Sequence, residues 1–212
     1  SSNFFKIKTI PDETPNEVLK NKKLKIGFDP SLFTKINLNF FFGKTDCKFI
    51  PIRTNLIDKI WKRKKDKVRK KFYTLPQTAL YENYKTKINK IISKYKKIGA
   101  DFQFITASEN NAWLLNIRGN DSKYTPIPNS YILIDKKKNI IFFCDLNKIT
   151  PSFKKSFIKI KFVDIKNTWS VLSKIYKKKI IIDKNTCSIY YENLILKNNK
   201  ILKQIDPIYF LK

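Results

Sequence analysis

Arg118, Asp121 and Trp113 lie close together in the segment SENNAWLLNIRGND, and they are the side chains best placed for recognition chemistry. A guanidinium grips a carboxylate through paired N–H donors. After a helix it can equally cap the terminal carbonyls, with Gly119 permitting the turn that follows. Asp121 can pair with Arg118 or bind a backbone amide in an Asx-type turn. Trp113 and Leu114, at helical spacing from Ile117, read as core; a substrate platform is the alternative. Asp101, Glu109 and Asp121 are acids of the kind that hold magnesium or share proton transfer, but their spacing matches no such motif. The sequence contains no histidine, which excludes Ser-His-Asp and Cys-His catalysis and most zinc sites. Cys47, Cys144 and Cys187 are far apart and form no CxxC pair, so they read as reduced, mostly buried thiols.

The 212 residues are 42% hydrophobic and 14% aromatic, enough for one large domain or two small ones. The formal charge is +28, yet Arg53, Arg63, Arg69 and Arg118 are the only arginines. Arginine is the favoured residue where phosphates are gripped bidentately. Lysine, asparagine and isoleucine are raised together, as A/T-biased codons would raise them. The charge therefore reads as a lysine-coated surface, with a nucleic-acid or anionic-surface binder as the alternative. No run approaches the ~18 apolar residues of a membrane span, and no secretion signal is visible. A cytoplasmic protein with no membrane partner is the expectation.

Elements that would position these residues follow from periodicity. Strands are expected over Phe4 to Ile10, Leu24 to Phe28, Phe49 to Ile52, Asp101 to Thr106, Ile158 to Val163 and Ile180 to Ile182. Tyr131 to Ile134 and Ile140 to Cys144 should pair as a hairpin around DKKKN. Helices should start at Thr14-Pro15, at Asp29-Pro30 (with Leu32, Phe33 and Ile36 inward) and at the Asn55 cap. Tyr84, Ile88, Ile91, Ile92, Tyr95 and Ile98 mark the clearest helix, stopped by Gly99. A helix should also span Ser108 to Ile117. Another, TWSVLSKIYKKK, should be capped by Asn167, with its lysines complementing the dipole. Trp61 and Trp169 read as core anchors. The run KRKKDKVRKK, residues 62–71, reads as a solvated boundary. Alternating strands and helices with one hairpin argue an α/β fold with a mixed β-sheet flanked by helices.

Four stretches together resemble the three-domain Xaa-Pro aminopeptidases. They are KIGFDPSLF (Lys25 to Phe33), NLIDKIW (Asn55 to Trp61), TASENNAWLLNIRGNDSKYTPIPNSYILI (Thr106 to Ile134) and the closing DPIYFLK. The third resembles a signature of a helix carrying AWL, an N-(L/I)-R-G-x-D turn and an N-P-x-x-x-S-Y strand entry. Its proline register departs from that pattern at Tyr124-Thr125-Pro126-Ile127-Pro128. The resemblance implies that residues 1–62 are the C-terminal part of a first creatinase-N-like domain and residues 63–212 a second, complete one. It implies that the chemistry belongs to a catalytic pita-bread domain absent here, where two Mn(II) ions activate a hydroxide against the bond preceding proline. This chain alone would then be inactive and hold no cofactor. Its partners would be the catalytic domain, in the same polypeptide or a separate chain, and proline-containing peptides, with nucleic acid not among them. The signature turn would face the catalytic domain, where Arg118 can hold a carboxylate of substrate or partner. A stand-alone or split-gene scaffold is the alternative.

Overall fold

The computed structural model describes Phe4, residues 6–61 and residues 70–212. The chain divides into two compact units, Ser1–Arg63 and Lys64–Lys212. Most of the lysine-rich run expected as a boundary lies outside the described residues.

The first unit contains α1 (Pro15–Val18), β1 (Lys25–Phe28), α2 (Lys35–Phe42), β2 (Lys48–Pro51) and α3 (Leu56–Ile60), with β1 and β2 parallel. Glu17 folds back on α1, its carboxylate accepting from the Thr14 backbone N–H at 2.6 Å and hydroxyl at 3.0 Å. Asn55 caps α3 through the Ile57 N–H at 2.9 Å. Edge-to-face contacts of Phe33 with Phe28 and Phe42 tie β1 to α2. Two expectations fail here. Lys6 to Thr9 is not a strand: no described strand pairs with it, and Phe4 and Ile7 are exposed. No helix opens at Pro30, because the Asp29 carboxylate binds the Ser31 N–H and hydroxyl and closes a turn instead. The helix begins at Lys35, capped by Thr34.

The second unit contains β3 (Tyr73–Thr74), α4 (Tyr84–Ile98), β4 (Phe102–Ile105), α5 (Ser108–Leu115), β5 (Ile117–Arg118), β6 (Tyr131–Asp135) and β7 (Ile140–Cys144). It continues with α6 (Pro151–Lys155), β8 (Ile160–Asp164), α7 (Thr168–Ser173), β9 (Lys179–Ile182), α8 (Ile189–Leu196) and β10 (Lys200–Lys203). Six strands form one mixed sheet in the order β10-β9-β4-β6-β7-β8, antiparallel only at β4–β6 and β6–β7. Strand alternation sends successive residues to opposite faces. Ile132, Ile134, Phe142 and Ile181 pack on one face with Ile91 and Tyr95 of α4, Leu114 of α5 and Phe153 of α6. Phe104, Leu133, Phe143 and Ile182 pack on the other with Leu172 of α7 and Ile195 of α8. This is the expected α/β fold: a mixed sheet flanked by helices.

α4 runs as its stripe requires and ends at Gly99, whose φ of 70° only glycine adopts freely. α7 is shorter than expected. Lys177 has a φ of 52° and Lys179 already belongs to β9, so these lysines do not complete a helix end. Trp169 is 53% exposed, turned away from the face of α7 that buries Thr168 and Leu172, and Trp61 is 59% exposed. Neither is a core anchor.

Candidate functional site

The signature helix α5 follows β4 after a short turn and ends two residues earlier than its pattern suggests. Asn116 takes the left-handed conformation, φ 55°, and Ile117–Arg118 become β5, paired antiparallel with Tyr73–Thr74. Arg118 therefore belongs to a strand rather than to the turn. Its Nη1 donates to the Ile117 carbonyl at 3.0 Å and the Ala112 carbonyl at 3.4 Å. The guanidinium braces the end of α5, the capping arrangement that its place after the helix allows.

Trp113 is half-buried and packs against the larger core face. The Lys87 ammonium lies 4.2 Å from its ring centroid and donates to the Trp113 carbonyl at 2.7 Å and Asn116 Oδ1 at 2.5 Å. Asn116 Nδ2 in turn donates to the Glu82 carbonyl at 2.9 Å. Burial lowers the Lys87 pKa to about 8, with the positive charge of Arg118 adding to the effect and Glu82 opposing it. Asn116 opens the N-(L/I)-R-G-x-D turn, though the sequence assigns it no role, and Lys87 belongs to none of the motifs. A signal exists for Lys87, which falls on the apolar stripe of α4 between Tyr84 and Ile91.

Asp121 is not brought to Arg118. Its Oδ2 accepts from the Asn129 backbone N–H at 2.7 Å, and its Oδ1 pairs with the Lys148 ammonium. These bonds pin the loop between β5 and β6 at both ends. Gly119 sits where an added Cβ would lie 2.9 Å from Pro128 Cα and 3.0 Å from the Phe72 ring, so close packing is what requires glycine there. Ser108, Asp121, Thr125 and Asn129 border a shallow recess of about 350 Å³ in this loop.

The remaining acids are separate. Glu109 accepts from the Tyr209 hydroxyl at 2.7 Å, and Asp101 accepts from the Lys136 ammonium at the opposite end of the sheet. Among the described residues no group of three or more His, Cys, Asp or Glu side chains is arranged to hold a metal ion. The acids are dispersed, each engaged with its own partner, and so do not fit a dinuclear metal centre. Burial pushes the Cys144 and Cys187 thiols up to about 12, so neither is a nucleophile near neutral pH.

Beside the signature helix, the segment after β10 is bolted into the fold. Asp206 accepts from Gln103 Nε2 at 2.7 Å, Asn110 Nδ2 at 2.6 Å and the Ile208 N–H at 3.0 Å. Its own N–H donates to Asp183 at 2.8 Å, and Tyr95 donates to Gln103 from behind. Burial raises the Asp206 pKa, opposed by these donors. The arrangement positions and buttresses; it presents no paired acid and base.

A model of the creatinase/prolidase N-terminal domain matches residues 63–212. The chain is 29% identical over 206 residues to Xaa-Pro aminopeptidase 1 of Dictyostelium discoideum, covering 91% of this chain and 32% of that protein. It is 26% identical over 198 residues to Xaa-Pro aminopeptidase ApepP of Drosophila melanogaster, covering 88% of this chain and 32% of that one. The chain thus spans about a third of the length of these relatives. The crystal structure of X-prolyl aminopeptidase from Caenorhabditis elegans, described as a cytosolic enzyme with a di-nuclear active site, superposes with a TM-score of 0.73. That match has 21% identity and covers 85% of this chain and 31% of the other, which shows the fold. Among the described residues no helix is long and apolar enough to cross a membrane.

Proposed function

Since the chain belongs to the creatinase/prolidase N-terminal domain family, we propose that it is the non-catalytic part of a Xaa-Pro aminopeptidase. In this reading it works beside a catalytic pita-bread domain that carries the pair of manganese ions. The observation that carries the proposal is the collinear similarity to aminopeptidases over 91% of the chain. The residues here contribute shape, not chemistry. β5 and the loop pinned by Asp121 and Lys148 form a rigid rim at the mouth of the catalytic domain, and long or folded peptides are excluded by it. Arg118 positions that rim by bracing α5. The residues 1–62 supply part of a preceding domain of the same kind, and the enzyme works in the cytoplasm on peptides with proline in second position.

The test starts from cells that make this protein. An antibody raised against the chain should precipitate a species of more than twice 25.2 kDa that releases the residue before proline when manganese is supplied. A 25.2 kDa species whose precipitate lacks this activity would refute the proposal. In the active species, Arg118→Ala should raise KM several-fold with little change in kcat, because it loosens the rim and leaves the metal centre alone.

A further inference from the structure

The number of lysines follows the composition of the whole chain, but their placement in the second unit does not. The register of the sheet puts the first residues of β4, β7, β8, β9 and β10 and the last residue of β6 at one end. Exposed lysines crowd there: residues 136–138 in the β6–β7 turn, Lys177 and Lys178 before β9 with Lys179 opening it, and Lys197 and Lys200 around β10. Two acids accompany them, and both are already engaged. Asp101 binds the Lys136 ammonium and the Lys179 N–H, and Asp135 accepts from the Lys137 and Asn139 N–H groups of its own turn. Asp145, Asp164 and Asp183 all fall at the other end, where β7, β8 and β9 finish.

Part of the basic end forms an open recess of about 500 Å³, lined by Tyr176, Lys177, Lys178, Leu196, Lys197 and Lys200 among others. The two loops that form it are locked together. The Lys177 N–H donates to the Asn198 carbonyl and the Lys178 N–H to Asn199 Oδ1, while Asn199 Nδ2 returns to the Ile175 carbonyl. Among the described residues none of these lysines is in an ion pair. Tyr176 is 59% exposed beside them, with the Lys177 ammonium 5.3 Å from its ring centroid.

We propose that this end of the sheet binds single-stranded nucleic acid, with phosphates on the lysines of the recess and a base stacked on Tyr176. Fixed cations tracking a backbone beside an aromatic platform are what such binding needs. The exposed ring set among the cations of the recess favours a strand. Leu196 is 45% exposed in the same recess and Ile158 91% exposed at the same end, so a lipid surface is the competing outcome that the vesicle arm of the test decides. The site lies at the opposite end of the sheet from the Asp121 loop, so it is independent of the aminopeptidase reading.

The experiment is fluorescence anisotropy of labelled oligo(U) and oligo(dT), about 15 nucleotides long, titrated with the full chain across a salt series. The variant Lys177→Gln/Lys178→Gln/Lys197→Gln/Lys200→Gln should bind at least tenfold more weakly. Its log affinity should fall less steeply with log salt, by roughly 0.7 for each phosphate that the variant no longer neutralises. Lys71→Gln/Lys123→Gln/Lys166→Gln/Lys184→Gln removes the same charge elsewhere and should stay within about twofold of the parent. Tyr176→Ala should weaken binding roughly tenfold and leave the salt slope unchanged. Equal losses from the two lysine sets would overturn the proposal. So would binding that vanishes near ~0.15 M salt, or tighter binding to phosphatidylserine vesicles than to either oligonucleotide.

Discussion

Lys87 stands where the stripe of α4 calls for an apolar side chain, and its burial is offset by the Trp113 ring, the Trp113 carbonyl and Asn116. Its pKa falls from 10.5 to about 8 in the folded chain. Between those values the unfolded chain holds the proton and the folded chain has released it, so the contribution of Lys87 to stability rises with pH across that window. The buried Cys144 and Cys187 thiols act in the opposite direction from about pH 9, and the buried tyrosines join them above pH ~10. Burial holds the Tyr95 hydroxyl well above its ordinary range and Tyr191 at about 12, so the folded chain then keeps protons that the unfolded one loses. Urea midpoints measured from pH 7 to 10 should therefore rise for the parent relative to Lys87→Met, with the difference opening above pH 8. A difference that stays constant across the series would show that the buried cation does not set the trend. Arg118 acts at the same scale. Its two carbonyl partners make it a brace for the helix end, and Arg118→Ala should cost about 1 kcal/mol in the same assay.

Two glycines end their elements for different reasons, and substitution separates them. At Gly99 the backbone is left-handed and nothing lies within 4 Å of an added Cβ, so Gly99→Ala should cost about 1 kcal/mol from conformation alone. At Gly119 the added carbon meets the Pro128 backbone and the Phe72 ring, and Gly119→Ala should cost about 1–3 kcal/mol and disturb the β3–β5 pairing. Paired denaturation curves check both. The Gly99 stop was legible, because a long amphipathic stripe followed by glycine has one ready meaning. The role of Gly119 was not, since the atoms that forbid a side chain come from residues distant in sequence. The same divide runs through the candidate site. Trp113, Arg118 and Asp121 stood out by type and spacing, and the core strands by their apolar runs. That Asp121 would choose Lys148 and Asn129 over its neighbour Arg118 depends on the fold bringing β6 and the turn after β7 beside it. The expected helix at Pro30 failed on a local competition, in which a short carboxylate reached two donors at once and closed a turn first.

The two units differ in how much each encloses. In the second, apolar residues fill both faces of the six-stranded sheet, whereas in the first Thr34 is the one buried side chain among the described residues. Amide hydrogen exchange should accordingly be slowest in β4, β6, β7 and β9, and faster by orders of magnitude in β1 and β2. Equal protection of both sheets would mean that the first unit has support not visible in its own packing. The Asp206 carboxylate has a further, mechanical consequence. Because it joins the segment after β10 directly to Gln103 of β4 and Asn110 of α5, tension applied at Lys212 does not peel the edge strand away by itself. The load passes past β10 and β9 into the centre of the sheet and into the helix that carries Trp113. In a single-molecule pulling experiment from the C-terminus, Asp206→Ala should lower the rupture force and let β10 detach as a separate early step. A parent chain that already sheds β10 first would show that the carboxylate bears no load.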